Sequence, residues 1–239
     1  MVSLISVMMT MPVLLSGFLN RDLSTIVDII LALLIAIDVH ELGHALVADR
    51  LGDDTPRRAG HISLNPFRHM DQFGIILLFL TAISGQGFTY GFTPVNESAL
   101  RRRTEFGPAI VSLAGPLTNL LLAAVLAVPL THATSGVLDL NGNYHLAIAG
   151  NAQLGDFVFQ LFSINVFLAV FNLLPLPPLD GWTIFSAFLS PKARFDLRSF
   201  VQYGPMILLV LIIFEGNIHF FSSVIYPVTN WVSDQLFRL

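Results

Sequence analysis

The sequence of 239 residues lacks cysteine entirely. This absence excludes a disulfide framework, a thiolate metal site and a cysteine nucleophile. Any metal ion that the chain binds must therefore be held by histidine and carboxylate side chains.

Charged residues are also scarce. They make up 12% of the chain, and hydrophobic residues make up 54%, whereas an ordinary soluble domain is about 25% charged. A soluble fold of this size needs charge on its surface, but a protein embedded in a lipid bilayer does not. The formal net charge is -4 and there is no basic tail, so the composition does not favour nucleic acid as a partner.

Six apolar segments are long enough to cross a bilayer, which takes roughly 20 residues. They are residues 3–19, 25–48, 106–130, 155–177, 199–215 and 218–236. A signal peptide begins with positively charged residues, but no Lys or Arg precedes the first of these segments. We therefore predict that it is a retained membrane helix. The predicted fold class is an all-α polytopic membrane protein with about six transmembrane helices. It forms one domain over residues 1–239, with a catalytic core at about 25–190 and peripheral helices at about 1–20 and 199–239.

A further apolar run, residues 73–92, is interrupted by Gly85, Gly87 and Gly91. Arginines flank it on both sides, and basic residues near membrane ends prefer the cytoplasm. We therefore predict a re-entrant segment that lines an internal cavity, because non-helical backbone at membrane depth must be shielded by protein. Both termini are then cytoplasmic. The alternative, seven full crossings, would place one arginine cluster outside.

Two short strands are predicted near the cytoplasmic face, at residues 57–66 and 88–95. They would form a small β-sheet there. An exposed edge of the first strand, including His61, Ile62 and Ser63, could bind an extended substrate segment by strand addition.

The central motif is His40-Glu41-Leu42-Gly43-His44. Residues four apart lie on one face of a helix, so both histidines can hold one metal ion. This is the His-Glu-x-x-His arrangement of zinc peptidases, in which the glutamate takes a proton from a water on the metal. The alternative is a chance match, but ionisable groups within an apolar helix are candidates for function.

A catalytic zinc usually has three protein ligands, and Asp180 is the best third candidate. Three prolines in residues 175–178 break the fourth long helix near its predicted cytoplasmic end. Asp180 follows them at the start of a short helix, and Gly181 permits close approach. The charge rule places Asp180 at the same depth as His40 and His44. The alternative is that Asp180 only caps the short helix.

The pair of motifs resembles the site-2 proteases, the membrane-embedded zinc metalloproteases. The resemblance rests on residues 40–44 (HELGH) and 172–181 (NLLPLPPLDG), with residues 114–119 (AGPLTN) and 60–66 (GHISLNP) in support. One detail departs, because a basic residue is expected where His61 stands. The resemblance covers about residues 30–190, and the chain looks like a minimal form without a PDZ or nucleotide-sensing domain.

The resemblance implies one Zn²⁺ held by His40, His44 and Asp180, with Glu41 as general base. It also implies that Asn172 steadies the substrate or the oxyanion, although its amide could instead cap the broken helix. The implied activity is regulated intramembrane proteolysis, in which peptide bonds in transmembrane segments of other membrane proteins are hydrolysed. The minimal size suits a prokaryotic cell (inner) membrane, and the charge rule places the active site towards the cytoplasm.

Other residues are predicted to have structural roles. Gly115, Pro116 and Asn119 should serve close helix packing and a polar bond. Asp38 should point away from His40, and the remaining histidines should lie at surfaces or interfaces: His61, His69, His132, His145 and His219. Two rival classes stay open, a transporter and an inactive zinc-binding relative. The absence of an inverted repeat argues against a transporter, and the intact Glu41 argues against an inactive relative. The sequence leaves the oligomeric state open.

Overall fold

The computed structural model describes residues 23–70, 75, 76, 78, 91–132, 134–138, 144–214 and 219–238, which are mostly helical. The α-helices are α1 (Leu23–Arg50), α2 (Thr55–Arg58), α3 (Glu97–Arg103), α4 (Gly107–Thr131), α5 (Ala152–Asn172), α6 (Asp180–Ala187), α7 (Pro191–Asp196), α8 (Arg198–Ile213) and α9 (Tyr226–Leu236). A 3₁₀ turn spans Pro66–Arg68, and a π-helical turn spans Phe221–Ile225. Strands β1 (Thr134–Leu138) and β2 (Tyr144–Ala147) pair antiparallel between α4 and α5.

Helices α1, α4 and α5 form the centre of the fold, and each packs against the other two. Helix α4 brings small buried residues to these contacts, including Ala114, Gly115 and Ala123. Small residues let helix backbones approach closely, which is how helices associate in a bilayer. Gly43 of α1 shows how close the approach is, because a Cβ atom there would lie 2.6 Å from Thr118 Oγ1 of α4.

The break between α5 and α6 follows the proline-rich sequence. Helix α5 ends at Asn172, and α6 begins at Asp180 and packs against α4. The turn is tight at Gly181, where any Cβ atom would collide with the carbonyl oxygens of Leu173 and Leu174. The prediction that Asp180 starts a short helix and that glycine permits close approach is confirmed.

The predicted membrane spans are only partly matched. Within the described residues, α4 and α5 are the helices long and apolar enough to cross a membrane. Helix α8 is apolar but has 16 residues, and the predicted span at 218–236 is divided between the π-helical turn and α9. The predicted helix at 3–19 lies outside the described residues, as does most of the re-entrant segment at 73–92. The count of six spans is therefore not confirmed.

The predicted cytoplasmic sheet is wrong for residues 57–66. This segment forms the end of α2, then turns and bends, and finally the start of the 3₁₀ turn. Pro56 lies in the first turn of α2, where the fixed φ angle of proline favours a helix. Gly60 has a positive φ of 77°, which interrupts an extended backbone. Residues 91–95 form no strand either, while residues 88–90 lie outside the described part.

The two loops that flank the end of α1 are joined by hydrogen bonds. Phe92 N–H donates to the carbonyl of His69 at 2.8 Å. Asp53, which is 1% exposed, accepts from Asn96 N–H at 2.6 Å and from Thr55 N–H at 3.0 Å. Burial alone would raise the pKa of Asp53, but these hydrogen bonds outweigh burial and lower its pKa. The loops thus form one layer beside the carboxyl-terminal half of α1.

Candidate metal centre

Three side chains from two separate helices meet at the interface of α1, α4 and α6. His40 and His44 come from adjacent turns of α1, and Asp180 is the first residue of α6. Asp180 Oδ2 lies 3.1 Å from His40 Nε2 and 3.2 Å from His44 Nε2. Among the described residues, these two histidines and one aspartate form a group of metal-ligating side chains that lie close enough together to hold one ion. The geometry favours a ligand over a helix cap, because the carboxylate faces the histidines.

The other ring nitrogen of each histidine identifies its tautomer. His40 Nδ1 lies 2.6 Å from Asn119 Oδ1, and His44 Nδ1 lies 2.7 Å from the carbonyl oxygen of Val111. Both oxygens can only accept a hydrogen bond, so each Nδ1 carries the proton and donates it. Each Nε2 is then the ring nitrogen that faces Asp180, and it can offer the lone pair that a metal ligand needs.

The spacing of Asp180 Oδ2 from each histidine nitrogen fits a zinc ion. Two Nε2 lone pairs and a carboxylate oxygen are all acceptors, so their close approach is unfavourable unless a cation or a proton lies between them. Ligand atoms about 2.0–2.1 Å from a tetrahedral zinc are about 3.3 Å from one another. The observed separations of 3.1 and 3.2 Å agree with that value.

Gly115 of α4 leaves room for the ion. A Cβ atom at this position would lie 2.5 Å from His44 Nε2 and 2.6 Å from His40 Nε2. The predicted role of Gly115 in close helix packing is therefore incomplete, since the missing side chain also leaves the space in front of the two metal-facing nitrogens.

Glu41 lies beside the histidines and is 6% exposed. Its Oε2 accepts a hydrogen bond of 2.7 Å from Thr93 Oγ1. The other oxygen, Oε1, faces Gly91, where a Cβ atom would approach it to 2.6 Å. The loop at residues 91–95 therefore packs directly against this carboxylate. Thr93 therefore anchors one oxygen, and the other oxygen faces the backbone of Gly91.

The other predicted site residues are not gathered at the metal centre. Asn172 Nδ2 donates to the Leu168 carbonyl at 3.0 Å, one turn earlier in its own helix. The segment of His61, Ile62 and Ser63 is half-buried in the layer beside α1. The His61 ring lies 6.4 Å from the Phe92 ring, and burial together with the neighbouring His69 lowers the pKa of His61.

One of the structural predictions needs correction. His69 is 1% exposed rather than on a surface. Its Nε2 donates to the Ser63 carbonyl at 3.0 Å and lies 3.4 Å from Asp38 Oδ1. Asp38, which was predicted to point away from His40, is buried beside His69. His132 and His219 are exposed as predicted, and the His145 side chain lies outside the described part.

Comparison with known proteins identifies the family. The family model described as Peptidase family M50 matches residues 28–213, a range that includes every residue of the metal centre. This chain belongs to peptidase family M50. The resemblance to site-2 proteases is therefore confirmed, and the chain is a zinc metalloendopeptidase. The transporter alternative is excluded by this assignment.

Individual proteins that are similar to this M50 peptidase are named as zinc metalloproteases. The protein called "Putative zinc metalloprotease YwhC" of Bacillus subtilis (strain 168) is 33% identical over 224 residues, covering 93% of this chain and 94% of the relative. "Putative zinc metalloprotease Rip2" of Mycolicibacterium smegmatis is 33% identical over 196 residues, covering 81% and 69%. "Putative zinc metalloprotease MJ0611" of Methanocaldococcus jannaschii is 32% identical over 146 residues, covering 59% and 60%. No solved structure matches the chain.

Sequence reasoning missed the direct partners of the site in this M50 peptidase. Asn119 was expected to serve helix packing and a polar bond, but that bond was not assigned to His40, from which Asn119 accepts. Asn165 and Thr93 were not singled out. The motif at residues 114–119 indicated that Asn119 makes a polar bond, because a buried Asn in an apolar helix needs a polar partner, but it did not indicate which residue that partner is. Nothing in the sequence around Thr93 indicates that its hydroxyl contacts Glu41.

Proposed function

We propose that this M50 peptidase hydrolyses peptide bonds within transmembrane segments of other membrane proteins. His40, His44 and Asp180 hold the zinc, and Glu41 is the general base. The observation that carries the proposal is the position of the metal-facing atoms between apolar helices. His40, Glu41 and His44 are each less than 9% exposed, on a helix that packs against the membrane-length helices α4 and α5.

The outer face of α4 supports a bilayer environment. Large apolar side chains recur on it at helical spacing and are 39–67% exposed: Ile110, Leu113, Leu117, Leu121, Val125 and Val128. A soluble monomer rarely exposes a continuous apolar stripe of this length. Contact of this stripe with water is unfavourable in free energy, whereas contact with lipid tails is not.

The protein groups have distinct parts in the reaction. When bound, zinc lowers the pKa of water to about 7 and polarises the scissile carbonyl. Glu41 accepts the proton of the attacking water on Oε1 and then donates it to the leaving amine. Thr93 holds Oε2, so the carboxylate does not rotate away during the two transfers. Asn172 uses one N–H of its amide on the Leu168 carbonyl, and its second N–H and its oxygen are the groups proposed to steady the substrate.

A substrate helix must unwind before its peptide bond is accessible, because its own hydrogen bonds occupy the backbone. Strand addition to an edge at residues 57–66 is not supported, since no strand is present there. His61, Ile62 and Ser63 are instead proposed to contact the unwound substrate from the loop layer. That layer reaches Glu41 through residues 91–93.

The proposed location is a prokaryotic cell (inner) membrane, with the metal centre towards the cytoplasm. Arg50 ends α1 six residues after His44, and basic residues also end α3 directly before α4. His44 contacts Val111 near the start of α4. The metal centre therefore lies near the basic end of these helices, which is the end that the charge rule assigns to the cytoplasm.

The test is cleavage of a purified membrane-spanning substrate in detergent by the wild type and by Glu41→Gln. We expect product from the wild type alone, with equal zinc content in both proteins, because the amide fills the same space but cannot accept the proton. A soluble peptide from a loop of the same substrate is the specificity control. Product from both enzymes would contradict the role of Glu41, and cleavage of the loop peptide alone would contradict intramembrane cleavage.

A further inference from the structure

The most deeply buried polar side chains near the metal centre are two asparagines that touch no substrate. Asn119 of α4 and Asn165 of α5 are both 0% exposed. Burying an amide inside an apolar protein is unfavourable unless each of its polar atoms has a partner. The hydrogen bonds of these two amides form one continuous chain that ends at His40.

The orientation of Asn165 follows from its own helix. Its Nδ2 donates to the Leu161 carbonyl one turn earlier, at 2.8 Å. A carbonyl can only accept, so the amino end of Asn165 faces Leu161 and the oxygen end faces away. Asn165 Oδ1 then accepts from Asn119 Nδ2, also at 2.8 Å.

The orientation of Asn119 is set by two acceptors. Its Nδ2 donates to Asn165 Oδ1 and to the Ala36 carbonyl of α1, at 2.9 Å for the latter. Both N–H groups of the amide are thereby used, and neither partner can donate in return. The remaining atom, Oδ1, is the one that lies 2.6 Å from His40 Nδ1.

We propose that Asn165 and Asn119 form a hydrogen-bond relay that keeps the His40 proton on Nδ1 and its Nε2 lone pair on the metal. The proposal rests on the proposed role of His40 as a zinc ligand. An amide oxygen held in place cannot donate, so the reverse tautomer of His40 would lose this hydrogen bond and direct a proton at the metal. Asn119 and Asn165 are positioning residues, and α4 and α5 thereby control a ligand on α1.

The second histidine provides a comparison within the same site. His44 Nδ1 donates to a backbone carbonyl, that of Val111, which no side-chain substitution removes. Of the two histidine ligands, His40 is the one whose tautomer is set by a hydrogen bond to another side chain. Substitutions in the relay should therefore weaken one ligand and leave the other in place, which reduces zinc affinity without abolishing it.

The experiment measures zinc affinity of the purified full chain in detergent by competition with a chelator, together with the absorption spectrum after cobalt substitution. Asn119→Leu should weaken zinc binding about 10–100-fold, the range found when the partner of a ligating histidine is removed. Asn119→Asp keeps an acceptor oxygen and should bind zinc much more tightly than Asn119→Leu. Ser163→Ala is the control, because Ser163 lies on α5 and bonds only its own helix, at the Phe159 carbonyl.

The relay also predicts how the substitutions combine. Asn165→Leu should cause a smaller loss of affinity, and the double variant should be no worse than Asn119→Leu, since Asn165 acts through Asn119. Additive losses, unchanged affinity in Asn119→Leu, or equal losses in Asn119→Asp and Asn119→Leu would each overturn the relay.

If Asn119→Leu does not fold, the measurement on Asn165→Leu tests the relay. A role only in helix packing would lower the thermal stability of that variant and leave its zinc affinity and cobalt spectrum unchanged. The readout needs no substrate, so it is independent of whether membrane proteins are cleaved.

Discussion

At the residue scale, metal binding depends on which ring nitrogen of each histidine carries the proton and which one faces the metal. His40 and His44 both donate from Nδ1 to fixed oxygens, and Asp180 faces their two remaining nitrogens. Glu41 has a comparable arrangement, in which Thr93 occupies one carboxylate oxygen. Each reactive group therefore has one atom anchored by the protein and one atom available for chemistry.

Thr93 is expected to support turnover without affecting the metal. Thr93→Val removes a hydrogen bond to a carboxylate, and such bonds contribute about 1.5–3 kcal/mol, so we expect kcat to fall about tenfold or more. KM and zinc content should stay as in the wild type, and Thr93→Ser, which keeps the hydroxyl, should recover most of the rate. Equal kcat for the Val and Ser variants would show that the hydroxyl does not position Glu41.

At the element scale, α4 does more than any other helix to shape the site. It supplies the acceptors for both histidines, through Asn119 and Val111. It also passes close enough to α1 that Gly115 faces the two Nε2 atoms. A helix with ordinary side chains at these positions could not approach α1 so closely.

Gly115→Ala tests this closeness. Alanine normally stabilises a helix over glycine by about 1 kcal/mol, yet here its Cβ would lie 2.5–2.6 Å from both metal-facing nitrogens. We therefore expect zinc content and activity to be lost even if the helix itself is retained. Zinc analysis of the purified variant checks this, with Leu117→Ala on the exposed face of α4 as control. Full zinc binding by Gly115→Ala would mean that the ion does not lie in front of Gly115.

At the scale of the whole molecule, the exposed apolar stripe of α4 and the buried metal centre support the proposal that this peptidase operates inside a bilayer. The loops at residues 51–70 and 91–104 gather at one end of α1 and α4, and the β1–β2 hairpin follows α4 at the other end. If α4 spans the membrane, these two ends must face opposite compartments.

The absence of cysteine makes this arrangement testable by single-cysteine labelling. We expect Ser98→Cys, in exposed α3 before α4, to react with a membrane-impermeant thiol reagent only after the cytoplasmic face is opened. His132→Cys, exposed directly after α4, should react in intact cells. Labelling of both positions from the same side would contradict a spanning α4, and the reverse pattern would contradict a cytoplasmic metal centre.

Much of the site could be predicted from the sequence because its signals are local. The four-residue spacing of His40 and His44 reflects the helical repeat, and the prolines before Asp180 end a helix wherever they occur. The strand at residues 57–66 was wrongly predicted because Pro56 and Gly60 favour a helical turn and a left-handed bend there. Asn172 was assigned a substrate role by resemblance, whereas its amide bonds its own helix.

The sequence by itself therefore determined the metal-ligand types, the helical character of the chain and the membership of an M50-like family. Only the tertiary structure decided which partners support those ligands. Asn119 lies 79 residues from His40, and Asn165 lies 46 residues from Asn119. Such contacts follow from how α1, α4 and α5 pack together, and packing depends on the shapes of all three helices at once. Local propensity and spacing carry no information about it, so the tautomer of His40 and the anchor of Glu41 became visible only in the folded chain.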